Sequence, residues 1–256
     1  MNDWTGYDWQ LLQGTQEEPY VQMALEEVLL ANVARGVRKP TLRIWEWASS
    51  SVVLGRFQSV RNEVDLEAAE ELGVTVVRRI TGGGAMFNEP QNTITYSLYV
   101  PEELVRGMSF VESYAFLDDW VIRGLRELGI DAFYEPINDI TSSKGKIGGA
   151  AQTRRQGAVL HHAMLSYDID ADRMLQVLRI GREKMSDKGT KSANRRVSPL
   201  LDQTQMGRAD VINSLTATFR QLHGLTKSEI SPDERAAALE LAESKFSSRE
   251  WIYLLP

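Results

Sequence analysis

The sequence predicts an α+β protein. Strand-like segments cluster before and after one long amphipathic helix, "SFVESYAFLDDWVIRGLRELG", and do not alternate with helices one for one. That is the pattern of a sheet with helices packed on it, not of a wound βαβ array. With 256 residues, 43% of them apolar and 25% charged, the chain can bury one large core and still present a polar surface.

Each element has its own signature. Val21, Ala24, Leu25, Val28, Leu29 and Val33 recur at helical spacing, and Gly36 stands where a cap belongs, which predicts the first helix. "TLRIWEW" and "SSVVLGRF" are rich in β-branched residues and Trp and read as two strands joined through "ASS". Asp65 is a candidate N-cap for a short helix ending at Gly73, which feeds the strand "VTVVRRI". "NTITYSLYV" alternates as a strand. In the long helix Phe110, Tyr114, Leu117, Val121, Leu125 and Leu128 share one side, and Gly129 closes it. "DAFYEPINDI", "KIGGAAQ" and "GAVLHHAMLSYDI" read as three further strands. Helices follow around residues 170 to 180 and 208 to 223, and a last one spans "SPDERAAALELAESKF". No repeat, low-complexity tract or linker divides the chain, so a single domain over residues 1–256 is expected.

Composition removes several functions. The chain has no cysteine, which excludes disulfides, zinc–thiolate sites and thiol nucleophiles. A net charge of −6 argues against general nucleic-acid binding, so any anion site must be local. "MNDWTGYDWQLLQ" lacks a basic-then-apolar leader, and no run approaches the roughly 18 apolar residues of a membrane span; a cytoplasmic protein without membrane contact is expected. His161 and His162 are adjacent on a strand and point to opposite faces, so with only His223 besides them they make no chelating cluster.

Three segments carry candidate chemistry. "RRITGGGAMFN" places Arg78 and Arg79 directly before Gly82, Gly83 and Gly84. The glycines suit a hairpin turn, or a bare backbone that approaches an anion beside fixed positive charge. In "NDI…KGKIGGAAQ", Lys146 is either an exposed edge charge or a site lysine beside a platform of small residues that includes Gly149 and Ala150. Asn138 and Asp139, after Pro136, form an Asx-type turn or place a polar side chain, with Asp139 a possible magnesium-binding carboxylate. The third segment, 179–196, carries Arg179, Arg182, Lys184, Lys188, Lys191, Arg195 and Arg196 against only Glu183 and Asp187. It reads as a solvated loop or as a cover that orders over an anionic ligand.

Taken together, "RRITGGGAMF", "NDI", "KIGGAAQ", "HHAMLSYDID" and "KSANRRV" resemble the successive signatures of the lipoate-protein ligase A family, within the wider biotin and lipoate ligase group. The resemblance runs from about residue 20 to the end. It implies a mixed, largely antiparallel sheet flanked by helices, like the catalytic core of biotin ligases and class II aminoacyl-tRNA synthetases. It also implies the reaction: lipoate or octanoate attacks the α-phosphate of ATP, with Mg²⁺, to give lipoyl-AMP. The lysine ε-amine of an acceptor protein, of the 2-oxoacid dehydrogenase E2 or glycine cleavage H type, then takes the acyl group.

By motif position Lys146 would be the catalytic lysine, reaching both carboxylate and phosphate. Arg79, Gly84, Ala85, Met86, Phe87, Asn138, Asp139 and Lys191 would hold ATP or adenylate. Arg78, Gly83, Gly84, Gly149, Ala150 and His162 would hold lipoate, and Asp139 would meet Mg²⁺ through the phosphates. An apolar slot lined by Met86, Phe87, Ala150 and Ala151 would take the acyl tail.

The chain departs from the family pattern after Phe87. Many members read His-Asp where it has Asn88 and Glu89, and Leu-Gly where it has Pro90 and Gln91. Three alternatives stand beside the ligase: an octanoyltransferase working through a cysteine thioester, which a chain without cysteine cannot form; a biotin ligase, expected to show a Gly-Arg-Gly-Arg type loop; and a non-catalytic acyl-binding protein. Long family members carry a small accessory domain, so a separately encoded small partner is expected here. The apolar tail "WIYLLP" either helps contact that partner or packs on its own domain.

Overall fold

The computed structural model describes residues 3–179 and 197–256. In chain order the elements are β1 (Gln10–Glu17), α1 (Pro19–Ala34), β2 (Thr41–Trp47), β3 (Ser51–Leu54), α2 (Val60–Glu63), α3 (Leu66–Glu71), β4 (Thr75–Arg78), β5 (Met86–Asn88) and β6 (Thr93–Pro101). They continue with α4 (Phe110–Glu127), β7 (Ala132–Glu135), β8 (Asp139–Ser142), β9 (Gly145–Arg155), β10 (Ala158–Ser166), α5 (Ala171–Val177), α6 (Leu200–Thr204), α7 (Arg208–His223), β11 (Thr226–Lys227), α8 (Pro232–Leu241) and α9 (Arg249–Ile252).

An eight-stranded sheet runs β11-β1-β2-β6-β10-β9-β8-β7, parallel at β11-β1-β2 and antiparallel beyond. A second, three-stranded sheet runs β4-β3-β5. The expected α+β class with a mixed, largely antiparallel sheet is what the chain adopts. One face of the large sheet carries α4 and α7 over a core that includes Trp120, Leu125, Leu215 and Phe219; the other carries α1 and α8 over Leu25, Leu29, Leu160 and Phe246. Capping boxes fix two of these helices at their starts, Ser109 with Glu112 on α4 and Ser231 with Glu234 on α8. Among the described residues no helix is long and apolar enough to cross a membrane.

Some elements differ from the sequence expectation. β1 has no apolar alternation to announce it, and its ladder with β2 is interrupted between Gln13 and Thr15, around Gly14 at φ 82°. "DAFYEPINDI" is not one strand but two, because Pro136 opens a turn and β8 folds back on β7. The chain after the glycines adds β5 to the small sheet.

The tail packs on its own domain. Ile252 is buried with Val60, Val64 and Phe87, Trp251 Nε1 donates to the Arg78 carbonyl at 2.8 Å, and Val60 N–H reaches the Leu255 carbonyl. Only Leu254 and Leu255 remain exposed among its large apolar side chains.

Candidate active site

Where the small sheet meets β2, β9 and β10, a narrow cleft opens to solvent, its enclosed part about 30 Å³. Met23, Trp45, Trp47, Val53, Met86, Ala151 and Met164 give it apolar walls; Arg79, Asn88, Thr95 and His162 supply its polar groups, and Gly149 leaves space on β9. Thirteen residues from six strands, a helix and the turn after β4 thus build a slot suited to an apolar chain with a polar end.

Arg79 explains the glycines. The side chain is buried, and its donors go to neutral oxygens: Thr81 Oγ1 at 2.9 Å and the carbonyls of Val53, Gly82 and Gly84 at 3.1, 2.6 and 2.8 Å. The turn is therefore wrapped around its own guanidinium. At Gly83, φ is 91° and an added Cβ would lie 2.9 Å from Arg79 Nη2. At Gly55 a Cβ would meet the Gly83 carbonyl oxygen at 2.0 Å, whereas Gly84 faces open space. Burial lowers the Arg79 pKa to about 10, still cationic at neutral pH. Among the described residues this buried cation has neutral oxygens and no carboxylate as partners, so its positive charge is only partly compensated.

Lys146 lies beside the same cleft. Its Nζ is 2.9 Å from Asp139 Oδ1, and a Cβ on the cleft-lining Gly149 would lie 3.3 Å from that Nζ. The lysine is partly exposed while the carboxylate is buried. Asn138 fixes the turn before Asp139, giving Nδ2 to the Ala150 carbonyl at 2.5 Å and receiving the Ala150 N–H at its own carbonyl. Val197 bridges to Lys146, and Ser198 N–H donates to the Lys146 carbonyl at 2.8 Å, so the chain leaving the basic segment arrives beside the lysine. Lys191 and the rest of 180–196 lie outside the described residues.

Three expected site residues are directed elsewhere. Arg78 is fully buried and gives its donors to the carbonyls of Gly55, Arg56, Gln58, Trp251 and Ile252, so it anchors the tail and not an acid. Phe87 packs with Val52, Leu54 and Ile252 in the core behind the small sheet. Ala150 pairs with Ala163 on the α4 face, while Ala151 and Gly149 pair with His162 and Met164 on the cleft face. All three follow from alternation: neighbours on an extended chain face opposite ways, so Arg79, Met86 and Ala151 take the cleft. Ala85 packs partly against the Phe87 core.

The polar floor of the site includes residues the motifs did not announce. His162 Nδ1 lies 2.6 Å from Glu26 on α1, and its Nε2 2.8 Å from Thr81 Oγ1. Glu26 is buried on the apolar face of α1 with Met23, Leu29 and Leu30, and an acid on such a face is the one signal that could have marked it. Asn88 lines the cleft, and Glu89 pairs with Arg173 of α5 at 2.8 Å, so the departures after Phe87 are tied into the domain. No group of three or more His, Asp or Glu that could hold a metal occurs among the described residues. Asp139 is a single carboxylate engaged by the Lys146 ammonium at 2.9 Å.

The Lipoyl protein ligase A/B catalytic domain family matches residues 18–220. The chain belongs to this family. It is 29% identical over 276 residues to octanoyltransferase LipM of Exiguobacterium sp., covering 97% of this chain and 99% of that one. It is 30% identical over 253 residues to lipoate-protein ligase A subunit 1 of Thermoplasma acidophilum, covering 94% of each. Among solved structures it superposes on a bipartite lipoate protein ligase from T. acidophilum with TM-score 0.82, 29% identity and 98% coverage of both chains. Lipoate-protein ligase A bound with ATP gives TM-score 0.80 and 27% identity over 96% of this chain and 98% of that one. The coarse activity is that of an enzyme of the lipoate and octanoate transfer family.

Proposed function

We propose that the chain is the catalytic domain of an ATP-dependent lipoate-protein ligase. It joins lipoate or octanoate to AMP and passes the acyl group to a lysine of a lipoyl-acceptor protein. The observation that carries this reading is a pair of cations at one apolar cleft, Arg79 in its lining and Lys146 beside its Gly149. The tail of the acid occupies the slot between Trp45, Trp47, Met86 and Met164, which leaves its carboxylate beside the cations. Negative charge grows at the α-phosphoryl during attack, and fixed positive groups stabilise that charge more than they stabilise the substrates. Gly83 and Gly84 are exposed on the turn and let the backbone pass close to the nucleotide.

The bipartite neighbour and its E2 lipoyl domain support two partners for this chain as well: an acceptor domain and a separately encoded small accessory subunit. The packed tail moves the accessory contact away from Trp251 and Ile252, leaving Leu254 and Leu255 as its apolar part.

A second reading, octanoyl transfer from an acyl carrier protein, is favoured by the similarity to LipM. Transfer through an enzyme thioester needs a thiol, and this chain has none. One experiment separates the readings. The protein is incubated with ATP, Mg²⁺ and lipoate, octanoate or biotin in turn, and in parallel with octanoyl carrier protein and acceptor domain without ATP. Acyl-AMP with lipoate or octanoate, detected by mass spectrometry, supports the ligase. Acceptor modification without ATP overturns it, and no product from any donor leaves the acyl-binding alternative.

A further inference from the structure

A buried line of hydrogen bonds joins α1 to the glycine turn. Arg79 Nε donates to Thr81 Oγ1 at 2.9 Å, Thr81 Oγ1 is 2.8 Å from His162 Nε2, and His162 Nδ1 is 2.6 Å from Glu26 Oε2. The other Glu26 oxygen receives the Ser97 hydroxyl at 2.8 Å and the Tyr99 hydroxyl, with Arg43 Nη1 at 3.5 Å. Ser97 in turn receives the Trp45 indole N–H at 2.9 Å, so one carboxylate is linked both to the wall of the acyl slot and to the turn.

The two ends of the line fix where its protons lie. A guanidinium only donates, so Thr81 Oγ1 accepts from Arg79 and has one hydrogen of its own to give. Glu26 accepts the Ser97 and Tyr99 hydroxyls and lies 3.5 Å from Arg43 Nη1, surroundings that favour the carboxylate against its burial. Glu26 is therefore an acceptor, and His162 Nδ1 must carry a hydrogen, since two lone pairs at 2.6 Å repel. Burial lowers the His162 pKa, and the charges of Arg79 and His161 act in the same sense against the pull of Glu26. With Nδ1–H given to Glu26, and Thr81 Oγ1 accepting from Arg79 and holding one hydrogen to give, Nε2 is placed to accept the Thr81 hydroxyl.

We propose that Glu26 is a positioning residue: by holding His162 as the neutral Nδ1–H tautomer, it directs Thr81 as an acceptor at Arg79 and so sets the guanidinium around which the glycine turn is wrapped. The consequence for adenylation rests on the ligase reading; the tautomer does not.

Two measurements test this. Heteronuclear NMR of the full chain with isotope-labelled histidine, its three histidines assigned with His161 and His223 variants, reads the tautomer without any substrate. The expected result at neutral pH is a hydrogen on His162 Nδ1 alone; a hydrogen on Nε2 alone, or on both nitrogens, overturns the proposal.

Thr81→Val keeps the side-chain shape, removes the relay, and leaves Arg79 Nε with only the Gly82 carbonyl at 3.2 Å. It should lower kcat for acyl-AMP formation about tenfold or more, as expected for a lost hydrogen bond to a charged group. KM for the acid should change by less than about threefold, because Thr81 is not among the slot-lining residues. Thr81→Ser should stay within about threefold of wild type in both, since the hydroxyl is restored. Equal losses in the two variants, no loss in either, or a loss confined to KM would overturn the proposal. A wild-type chain that forms no acyl-AMP refutes the ligase reading and Thr81's part in adenylation, while the tautomer still decides the relay.

Discussion

Gly55 gives the sharpest test of how the glycine turn is held. An alanine Cβ at this position would fall 2.0 Å from the Gly83 carbonyl oxygen, 3.0 Å from its carbon and 3.2 Å from the Gly82 carbonyl carbon. All three atoms are backbone, so no side chain can rotate away, and ordinary contact requires a displacement of more than about 1 Å. The turn cannot move freely either, because Arg79 Nη2 grips the carbonyls of Gly82 and Gly84 from inside.

Overpacking of this kind costs about 1–3 kcal/mol, against a gain of about 0.4–1 kcal/mol from a stiffer unfolded chain. The expected net loss for Gly55→Ala is about 2 kcal/mol, or roughly 4–8 °C in Tm for a domain of this size. Acyl-AMP formation should fall with it, since the displaced segment carries the exposed Gly83 and Gly84. Gly84→Ala is the matched control: nothing lies within 4 Å of its added Cβ, so Tm should stay within about 2 °C of wild type while the methyl intrudes on the nucleotide. Calorimetry and the acyl-AMP assay are run on both variants. A Gly55→Ala protein that melts with wild type would show that the turn does not rest on Gly55.

Three further outcomes are expected. Lys146→Ala should lose about 3 kcal/mol or more of transition-state stabilisation in acyl-AMP formation, at least about a hundredfold in rate, with poor rescue by Lys146→Arg because a planar fork does not replace a compact ammonium. Arg78→Met should destabilise the domain by about 2–3 kcal/mol by leaving buried carbonyls unpaired, and should expose the tail to carboxypeptidase while acid binding measured by calorimetry persists. For Glu234, burial would raise the carboxyl, but Arg38, the Ser231 amide and Asn32 hold it at about 2 against an ordinary 4.5. Its contribution is therefore full above about pH 4.5 and lost as pH falls toward 2, and Glu234→Gln should flatten the denaturant-measured stability profile across that window.

How much of this was legible in the sequence depended on whether the signal was periodic or positional. The long helix from Ser109 was readable because its apolar stripe, its capping serine and its closing glycine agree. β1 was not, because "QLLQGTQE" is largely polar and its place is fixed by pairing with β2 and, far along the chain, β11. The motif blocks converge on one cleft, but whole blocks were assigned to it. Arg78, Phe87 and Ala150 shared a block with true cleft residues and face away, although the alternation that separates His161 from His162 applied equally to them. Glu26, Trp45 and Met23 come to the cleft from α1 and β2, which carry no motif. Side chains delivered by tertiary packing leave no local spacing to read.

The two cations of the site are held in unequal ways, and the inequality fits a reaction in which charge appears and leaves. Arg79 is surrounded by oxygens without formal charge, and Glu26 reaches it only through the neutral Thr81 and His162. Its positive charge is therefore constant and only partly compensated, which in a chain of net charge −6 is what draws an anion to one place. Lys146 instead rests on Asp139 at 2.9 Å. In the proposed adenylation a bound phosphate would compete with that carboxylate, so the lysine would interact most strongly when the phosphoryl carries most charge and would return to Asp139 as AMP departs. A lysine without such a partner would bind ground state and product as firmly as the transition state, lowering KM without raising kcat. On the proposed reaction the buried carboxylate would thus make the contribution of Lys146 conditional on the charge of the ligand, while Arg79 would set where that ligand sits.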